Sequence, residues 1–432
     1  MVNQYQPNND TWTEPKTPSI IIFTNTYPYG TGETFFESEL PYLLALERPI
    51  LLAPLYGEGI MRTVPSTPKA PVGIASPLLS FNPKDKSRLL LYGLFNFAPF
   101  FFALRDFFTQ QIWQSRIKIW RFGTSFLLMR AIWAKNRRFF RRQEDALLYF
   151  YWADKAALIL PFLSKEGKRG RTVVRFHGSD LYEEAKGFLP FRNRLFPAIE
   201  LACPVSRHGA DYLRQRYGAL SPPVSVARLG TSDYGLGPDS IPDAPFHILS
   251  CANLIPLKRL HLIWEALLLL HREQSLPRPV CWTLIGGGPL RCSLEKAIRE
   301  ANLAESLTVR LCGPLPHHAV MEFYKKTPVD LYMLTGRSEG VPVSIMEALS
   351  FGISVMATAV GGVPELVSEA NGHLLPAHPK ADHVAEALLN FMKLPLLERH
   401  AKRQAARAAW ESEWRAEVNF KKFCTLLEDH AR

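Results

Sequence analysis

GRSEGVPVSIMEALSFGISVMATAVGGVPELV, residues 336–367, is the stretch that decides the fold and the site. Glu339 lies in the loop after an apolar strand, and Pro342 is placed to open a helix. Glu347 falls one to two turns into that helix, and Gly352 suits the position just past its end. Ligands of open parallel sheets bind beyond the carboxyl ends of the strands, where this strand, loop and helix start meet. We therefore expect both carboxylates to face a cleft.

The helix start suggests what this cleft binds. Unpaired N–H groups and a partial positive charge suit a diphosphate, and carboxylates accept hydrogen bonds from sugar hydroxyls. In the next loop, Gly361 and Gly362 let the backbone approach closely, and Glu365 suits a positive helix end. The pattern favours joint recognition of an anion and a polyol. The alternative is that both glutamates are ordinary acidic residues near a helix N-terminus and bind no ligand.

These motifs resemble those of the family-4 (group 1) retaining glycosyltransferases with the GT-B fold. The signature of that family is a glutamate, seven residues and a second glutamate, which Glu339 and Glu347 match. The segments EGVPVSIMEA, GGVPE and NGHLLP match as well. The resemblance implies an α/β fold with two facing Rossmann-like domains and a C-terminal helix packing across both. It also implies transfer of a hexosyl unit from a nucleotide-diphosphate sugar with retention.

A weaker match concerns the donor diphosphate. The segment SCANLIPLKRLHLIWEAL, residues 250–267, is similar to the family segment in which a lysine meets the diphosphate, and Lys258 takes that position. Five residues earlier the family commonly has an arginine, whereas Asn253 stands here. Arg259 is the candidate substitute. Without the resemblance, Lys258 would be interpreted as a solvated lysine at a helix start.

The first half of the chain carries further matches. Gly30 and Gly32 follow the first strand directly, and Glu33 comes at a helix start. The resemblance implies that this loop borders the sugar and the acceptor. It also places His177, at the end of another strand, against the transferred sugar, although a lone histidine there is more often structural.

The resemblance thus implies a complete set of site residues. The implied catalytic residues are His177, Lys258 and Glu339, and the implied acceptor contact is Glu33. Donor binding is implied for Gly30, Gly32, Asn253, Lys258, Arg259, Gly287, Leu311, Glu339, Gly340, Val341, Pro342 and Glu347. No D-x-D occurs, so we do not expect a required metal, and we expect no other cofactor. The expected donor is a UDP- or GDP-linked sugar.

Length and alternation predict the domain organisation. The 432 residues exceed what one hydrophobic core usually spans, and short apolar runs alternate with helical patterns as in βαβ units. We predict a polar tail (1–17), an acceptor-side domain (18–234), a Pro/Gly-rich linker (235–245), a nucleotide-sugar-binding domain (246–394) and a helical segment (395–432). Predicted strands are 19–24, 50–53, 147–151, 172–176, 201–205, 224–228, 246–251, 280–285, 307–311, 329–334 and 354–358.

The basic charge of the chain is local. Residues 84–142 hold 13 Lys/Arg and two acids, which accounts for the whole net charge of +11, together with 15 of the 50 aromatic residues. A cationic aromatic pattern of this kind suits a helix lying in an anionic membrane interface. Two other interpretations stay open: aromatic core with a solvated basic face, or a nucleic-acid groove. No nucleic-acid motif accompanies the insert, so we expect no such partner.

Localisation follows from weaker signals. The six cysteines are scattered, and the first residues have no apolar signal region, which predicts a cytoplasmic protein. The basic aromatic insert adds the expectation that it lies peripherally on the inner face of the cell membrane. The expected acceptor is a saccharide or a lipid-linked saccharide. Two other functions stay open: a GT-B enzyme that epimerises or hydrolyses nucleotide sugars, and a non-catalytic membrane-binding protein.

Overall fold

The protein contains two six-stranded parallel sheets, which confirms the predicted α/β fold with two facing Rossmann-like domains. The computed structural model describes residues 19–79, 100–142, 145–165, 171–301, 303 and 305–431. The predicted polar tail (1–17) and residues 84–99 of the predicted insert lie outside the described residues.

The first sheet has the strand order of a Rossmann fold. Its strands are β1 (Ile20–Thr24), β2 (Ile50–Pro54), β3 (Val72–Ile74), β4 (Leu147–Phe150), β5 (Thr172–Phe176) and β6 (Leu201–Pro204), in the order β3-β2-β1-β4-β5-β6. Its helices are α1 (Thr34–Leu44), α2 (Phe100–Thr109), α3 (Arg116–Arg142), α4 (Leu160–Lys165), α5 (Gly178–Leu181), α6 (Glu183–Lys186), α7 (Arg192–Leu195) and α8 (Arg207–Tyr217). Strands such as IIIFT are buried throughout, because helices cover both faces of the sheet.

The second sheet repeats this order. Its strands are β7 (Phe246–Cys251), β8 (Val280–Ile285), β9 (Leu307–Gly313), β10 (Leu331–Leu334), β11 (Val355–Thr358) and β12 (Gly372–Leu375), in the order β12-β11-β10-β7-β8-β9. Its helices are α9 (His261–Arg272), α10 (Arg291–Glu300), α11 (His317–Lys326), α12 (Val343–Ser350) and α13 (Ala381–Met392). Pro342 is the N-cap of α12, and Gly352 follows its C-cap with a φ of +73°, as predicted.

The C-terminal segment packs across both domains, as predicted, but as two helices. Helix α14 (Leu396–Glu413) packs on α12, and α15 (Ala416–Ala431) packs on α1. Between them, the Trp414 carbonyl accepts from the amide of Thr231, whose own carbonyl accepts from the amide of Ala416. A Cβ on Gly230 would lie 2.5 Å from the Ala416 nitrogen. The two passages of the chain between the domains therefore lie against each other.

One strand prediction is wrong. Residues 224–228 form no strand: Val224 makes a single bridge to Ala202. The amides of Ser225 and Ala227 still donate to the carbonyls of Ala202 and Pro204, but Pro204 has no N–H with which to continue the ladder. The short edge strands β3 and β12 were not predicted as strands.

The insert belongs partly to the first core. Phe122, Met129, Ile132 and Phe140 on α3 are buried in the hydrophobic cluster of the first domain. Another set stays exposed at the turn between α2 and α3. We call it the exposed apolar patch; its members are Leu104, Phe108, Trp113, Ile117, Ile119 and Trp120, each 43–61% exposed.

Among the residues described, none of the helices combines the length and the apolar character needed to span a bilayer.

Candidate active site

The two domains touch at the carboxyl ends of their sheets. The turn after β5 carries His177 and Gly178, and it meets the loop after β10 that carries Glu339 and Gly340. A Cβ on Gly178 would lie 2.3 Å from the Gly340 nitrogen, so only glycine fits this approach. The Glu339 loop is held from its other side by Gly362, whose amide donates to the Gly340 carbonyl at 2.7 Å. The cleft therefore closes on a loop that is fixed from two directions.

Lys258 and Glu339 form an ion pair in this cleft. The ammonium donates to both carboxylate oxygens of Glu339, at 2.7 and 2.8 Å. The Glu339 side chain is 7% exposed and the Lys258 side chain 21%. An ammonium has three donors, so Lys258 keeps one for a further acceptor while it holds the carboxylate. The structure thus brings together two of the three predicted catalytic residues.

The second glutamate of the motif lies on α12 and faces the space between the domains. Glu347 is 6% exposed, and its Oε1 is 2.9 Å from Nε2 of His317 at the start of α11. Both side chains line a cavity of about 180 Å³. Thr34, Phe35 and Ser38 of α1 line the opposite wall. Glu347 therefore faces the space between the domains, and the contacts of both carboxylates with a donor stay predictions.

His177 is buried among aromatic rings. Its ring lies 4.4 Å from that of Trp152 and 5.0 Å from that of Tyr151, measured between centroids. Neither ring nitrogen has a hydrogen-bond partner within the described residues. Burial, and then the charge of Arg175, holds the pKa of His177 well below its usual range. His177 is therefore a neutral imidazole whose ring nitrogens are both buried, with Nδ1 4.0 Å from Asp180, and its contact with the transferred sugar stays a prediction.

Glu33 organises the loop that carries Gly30 and Gly32. It has a φ of 56° at the N-cap of α1, and its carboxylate accepts from the amides of Asn25, Thr26 and Tyr27 at 2.7–2.9 Å. Its Oε1 also accepts from the Trp152 indole at 2.5 Å. The carboxylate thus holds the loop and orients the indole that packs on His177. The predicted acceptor contact of Glu33 stays a prediction.

Arg175 anchors the strand that presents His177. Its guanidinium forms an ion pair with Glu39, and both side chains are fully buried. Tyr149 donates to the same carboxylate at 2.8 Å. The Arg175 guanidinium also lies 4.4 Å from the ring of Phe423 on α15. This cluster joins β4, β5, α1 and α15 directly beneath the cleft.

Arg259 is engaged by backbone groups. Its guanidinium donates to the carbonyls of Thr335, Gly336 and Ala377 at 2.8–2.9 Å. It therefore supports the loop before Glu339, and its predicted diphosphate contact stays a prediction. Asn253 is exposed in the loop after β7.

The remaining predicted donor residues lie on the rim of the second sheet. The Gly287 carbonyl accepts from the Leu254 amide at 2.9 Å, and the Leu311 carbonyl accepts from Arg291 at 3.2 Å. Val341 is 6% exposed beside the α12 N-cap. Their contacts with a donor stay predictions.

Glu365 meets a positive helix end, as its sequence context suggested, but the helix belongs to the other domain. Its carboxylate, next to β11 in the second domain, accepts from the amides of Arg207 and His208 at 3.1 and 2.8 Å. These amides open α8 of the first domain, so the carboxylate meets the positive end of that helix from across the interface. Arg228 lies 3.4 Å from the same carboxylate.

The sequence did not indicate three other contacts, because each joins residues far apart in the chain. They are Trp152 with Glu33, His317 with Glu347, and Gly178 with Gly340. One signal was present: each of the two loops carries a glycine directly after a predicted site residue, Gly178 after His177 and Gly340 after Glu339. Among the described residues, no group of three or more His, Cys, Asp or Glu is arranged to hold a metal.

Comparison with known proteins supports the fold and the family. Residues 238–409 match the family model of the glycosyl transferases group 1. The chain is 28% identical over 330 residues to the amylovoran biosynthesis glycosyltransferase AmsK of Erwinia amylovora, covering 72% of this chain and 76% of that protein. It is 29% identical over 271 residues to the putative colanic acid biosynthesis glycosyltransferase WcaL of Escherichia coli K12, covering 60% and 64%. The structure of Anabaena HepE in complex with UDP and glucose is similar in fold, with a TM-score of 0.63 at 15% identity, covering 95% and 99%.

Proposed function

Because the chain is a group 1 glycosyltransferase of the GT-B fold, we propose that it moves a hexosyl unit, with retention, from a nucleotide-diphosphate sugar to a saccharide or lipid-linked acceptor. The observation that carries the proposal is the location of the two motif glutamates where the domains meet: Glu339 is paired with Lys258 next to the loop contact with Gly178, and Glu347 lines the cavity between the domains. The relatives named for amylovoran and colanic acid biosynthesis support polysaccharide assembly as the setting.

Each residue has a task that its surroundings suit. The third N–H of Lys258 and the N-terminus of α12 meet the diphosphate, whose negative charge grows as it departs. Glu347 accepts from the ribose hydroxyls, and Glu339 accepts from hydroxyls of the sugar. The neutral His177 exchanges hydrogen bonds with the same sugar from the opposite domain. No metal takes part in these tasks.

The donor is a UDP- or GDP-sugar, and binding is the direct test. A ligand that binds only the folded state raises the melting temperature. We expect UDP or GDP to stabilise the wild-type protein, and Glu347→Gln to weaken that binding about ten- to a hundredfold, because a charged acceptor is lost. Absence of a shift with UDP, GDP and ADP would overturn the proposal.

Product analysis separates transfer from the alternative chemistry. The proposed enzyme releases nucleoside diphosphate together with an elongated saccharide when a cell-envelope extract supplies the acceptor. Free sugar or an epimer formed from the donor alone would show a nucleotide-sugar hydrolase or epimerase instead. A nucleotide-binding protein with no turnover under either condition would be non-catalytic.

The exposed apolar patch is the proposed contact with an anionic membrane at the cytoplasmic face. Trp113, Ile117 and Trp120 are each more than half exposed. Arg116 and Lys118 lie beside them on α3. Apolar and cationic side chains at one turn fit the boundary between acyl chains and anionic head groups, at about 1 kcal/mol per basic residue.

Vesicle sedimentation tests this contact. Wild-type protein is expected to pellet with phosphatidylglycerol vesicles at low salt and to remain in solution with phosphatidylcholine. The double variant Trp113→Ser/Trp120→Ser should lose most of this binding, whereas Leu397→Ser, which changes an 82% exposed apolar residue on α14, should not. Equal binding by the patch variant would refute the contact without touching the proposed chemistry.

A further inference from the structure

The hydrogen bond between His317 and Glu347 gives the second motif glutamate a fixed neighbour. His317 is the only hydrogen-bond partner of the Glu347 side chain among the described residues, with 2.9 Å between Nε2 and Oε1. The His317 side chain is 43% exposed, and the Glu347 side chain 8%. The imidazole therefore reaches from the rim of the cavity to a carboxylate at its base. Oε2 is left to face the cavity.

The charges around His317 favour its protonated form. The hydrogen bond to Glu347 raises the pKa of His317, burial opposes this, and the charges of Glu347 on α12 and Glu37 on α1 add to the rise. Glu37 is itself paired with Arg62, at 2.8 Å. His317 thus carries a proton to a higher pH than an ordinary histidine. Its neighbour His318 is also exposed.

We propose that His317 is a positioning residue that holds the Glu347 carboxylate ready for the nucleotide and thereby couples nucleotide affinity to pH. The inference rests on the proposed function, in which Glu347 receives the ribose hydroxyls. His317 occupies one oxygen and leaves Oε2 and the remaining lone pair of Oε1 for the diol. The carboxylate then loses little rotational freedom when the nucleotide arrives, because that freedom is already lost in the free protein.

The direction of the pH effect follows from the charge of the pair. Below the pKa of His317 the imidazolium holds the carboxylate by a charge-assisted hydrogen bond. As pH rises through that pKa, the bond becomes a weaker neutral one, and the carboxylate becomes less ordered. Affinity is therefore greatest while His317 is protonated and falls on the alkaline side.

The test is calorimetric titration with UDP and GDP between about pH 6 and about pH 9. The variants are His317→Ala, His317→Gln, which keeps a neutral donor, and the matched control His318→Ala. We expect wild type and His318→Ala to lose affinity about three- to tenfold as pH rises. His317→Ala should be weaker than wild type at the acidic end and show no such loss. His317→Gln should bind more tightly than His317→Ala, and its affinity should change with pH in the same way as that of His317→Ala.

The outcomes separate this inference from the function on which it rests. The terminal phosphate of UDP or GDP titrates in all variants alike, so the ratio of wild-type to variant affinity at each pH isolates His317. Equal affinity and equal pH slope for wild type and His317→Ala would refute the positioning role. Failure of the wild-type protein to bind either nucleotide would refute the proposed function first. Melting temperatures without ligand show that each variant is folded.

Discussion

Replacing Gly178 by alanine should prevent full closure of the two domains. The added Cβ would lie 2.3 Å from the nitrogen and 2.7 Å from the Cα of Gly340, whereas ordinary contact begins near 3.4 Å. The loops must therefore separate by about 1 Å. Gly178 does not have the left-handed φ that favours glycine, so alanine strains this contact rather than the local backbone. A displacement of about 1 Å between reacting groups costs up to about a hundredfold in rate.

The assay is release of nucleoside diphosphate from the donor that binds best. We expect Gly178→Ala to lower the turnover number about ten- to a hundredfold, with a melting temperature close to that of wild type. Gly340→Ala, whose Cβ would lie 2.5 Å from the Gly178 nitrogen, should behave in the same way. Gly123→Ala on α3 is the control, because nothing lies within 4 Å of its added Cβ. Wild-type turnover in Gly178→Ala would refute the view that the reaction needs this contact.

Three further substitutions test separate parts of the site. Lys258→Met should weaken UDP or GDP binding at least tenfold and uridine or guanosine binding little, because the ammonium meets the diphosphate; calorimetry measures both. Glu39→Gln should lower the free energy of unfolding by about 3–5 kcal/mol in urea, because it leaves the buried Arg175 guanidinium without its counter-charge. Glu365→Gln should destabilise the interface by about 1 kcal/mol, since the α8 N-terminus loses its anion, and small-angle scattering should show a more open mean separation of the domains.

Each of these expectations has a contrary result. Equal loss of nucleoside and nucleotide affinity in Lys258→Met would place the lysine away from the phosphates. A loss below about 1 kcal/mol in Glu39→Gln would mean that water or another group solvates Arg175. An unchanged scattering profile for Glu365→Gln would show that the other contacts between the domains hold this separation without the Glu365 carboxylate.

The parts of the site that were predictable lie within short stretches of chain. Glu339 and Glu347 share one strand, loop and helix, so their spacing and the proline between them were sufficient to place both at the cleft. Central buried strands such as Ile20–Thr24 can be predicted because they are continuous apolar runs. The edge strand Val72–Ile74 has only three residues, which is too short for any periodicity to show.

The parts that were missed depend on contacts between distant residues. The Glu33 carboxylate folds back on its own loop and meets Trp152, 119 residues away. The Arg259 guanidinium donates to carbonyls 76 to 118 residues further along the chain. It therefore stabilises the loop before Glu339, a role that the sequence did not indicate. Neither arrangement leaves a periodic or compositional trace. A motif gives the identity of such residues, while their partners come only from the fold.

The return of α15 to the first domain makes the order of synthesis matter for folding. Phe423 and Leu427 complete the core beneath β1, β2 and β4, and Phe423 covers the Arg175 guanidinium. A ribosome has therefore released the whole second domain before the first can bury its ion pair. The nascent first half therefore waits in a partly formed state until α15 is released, and the core of the second domain likewise waits for Trp410 and Trp414.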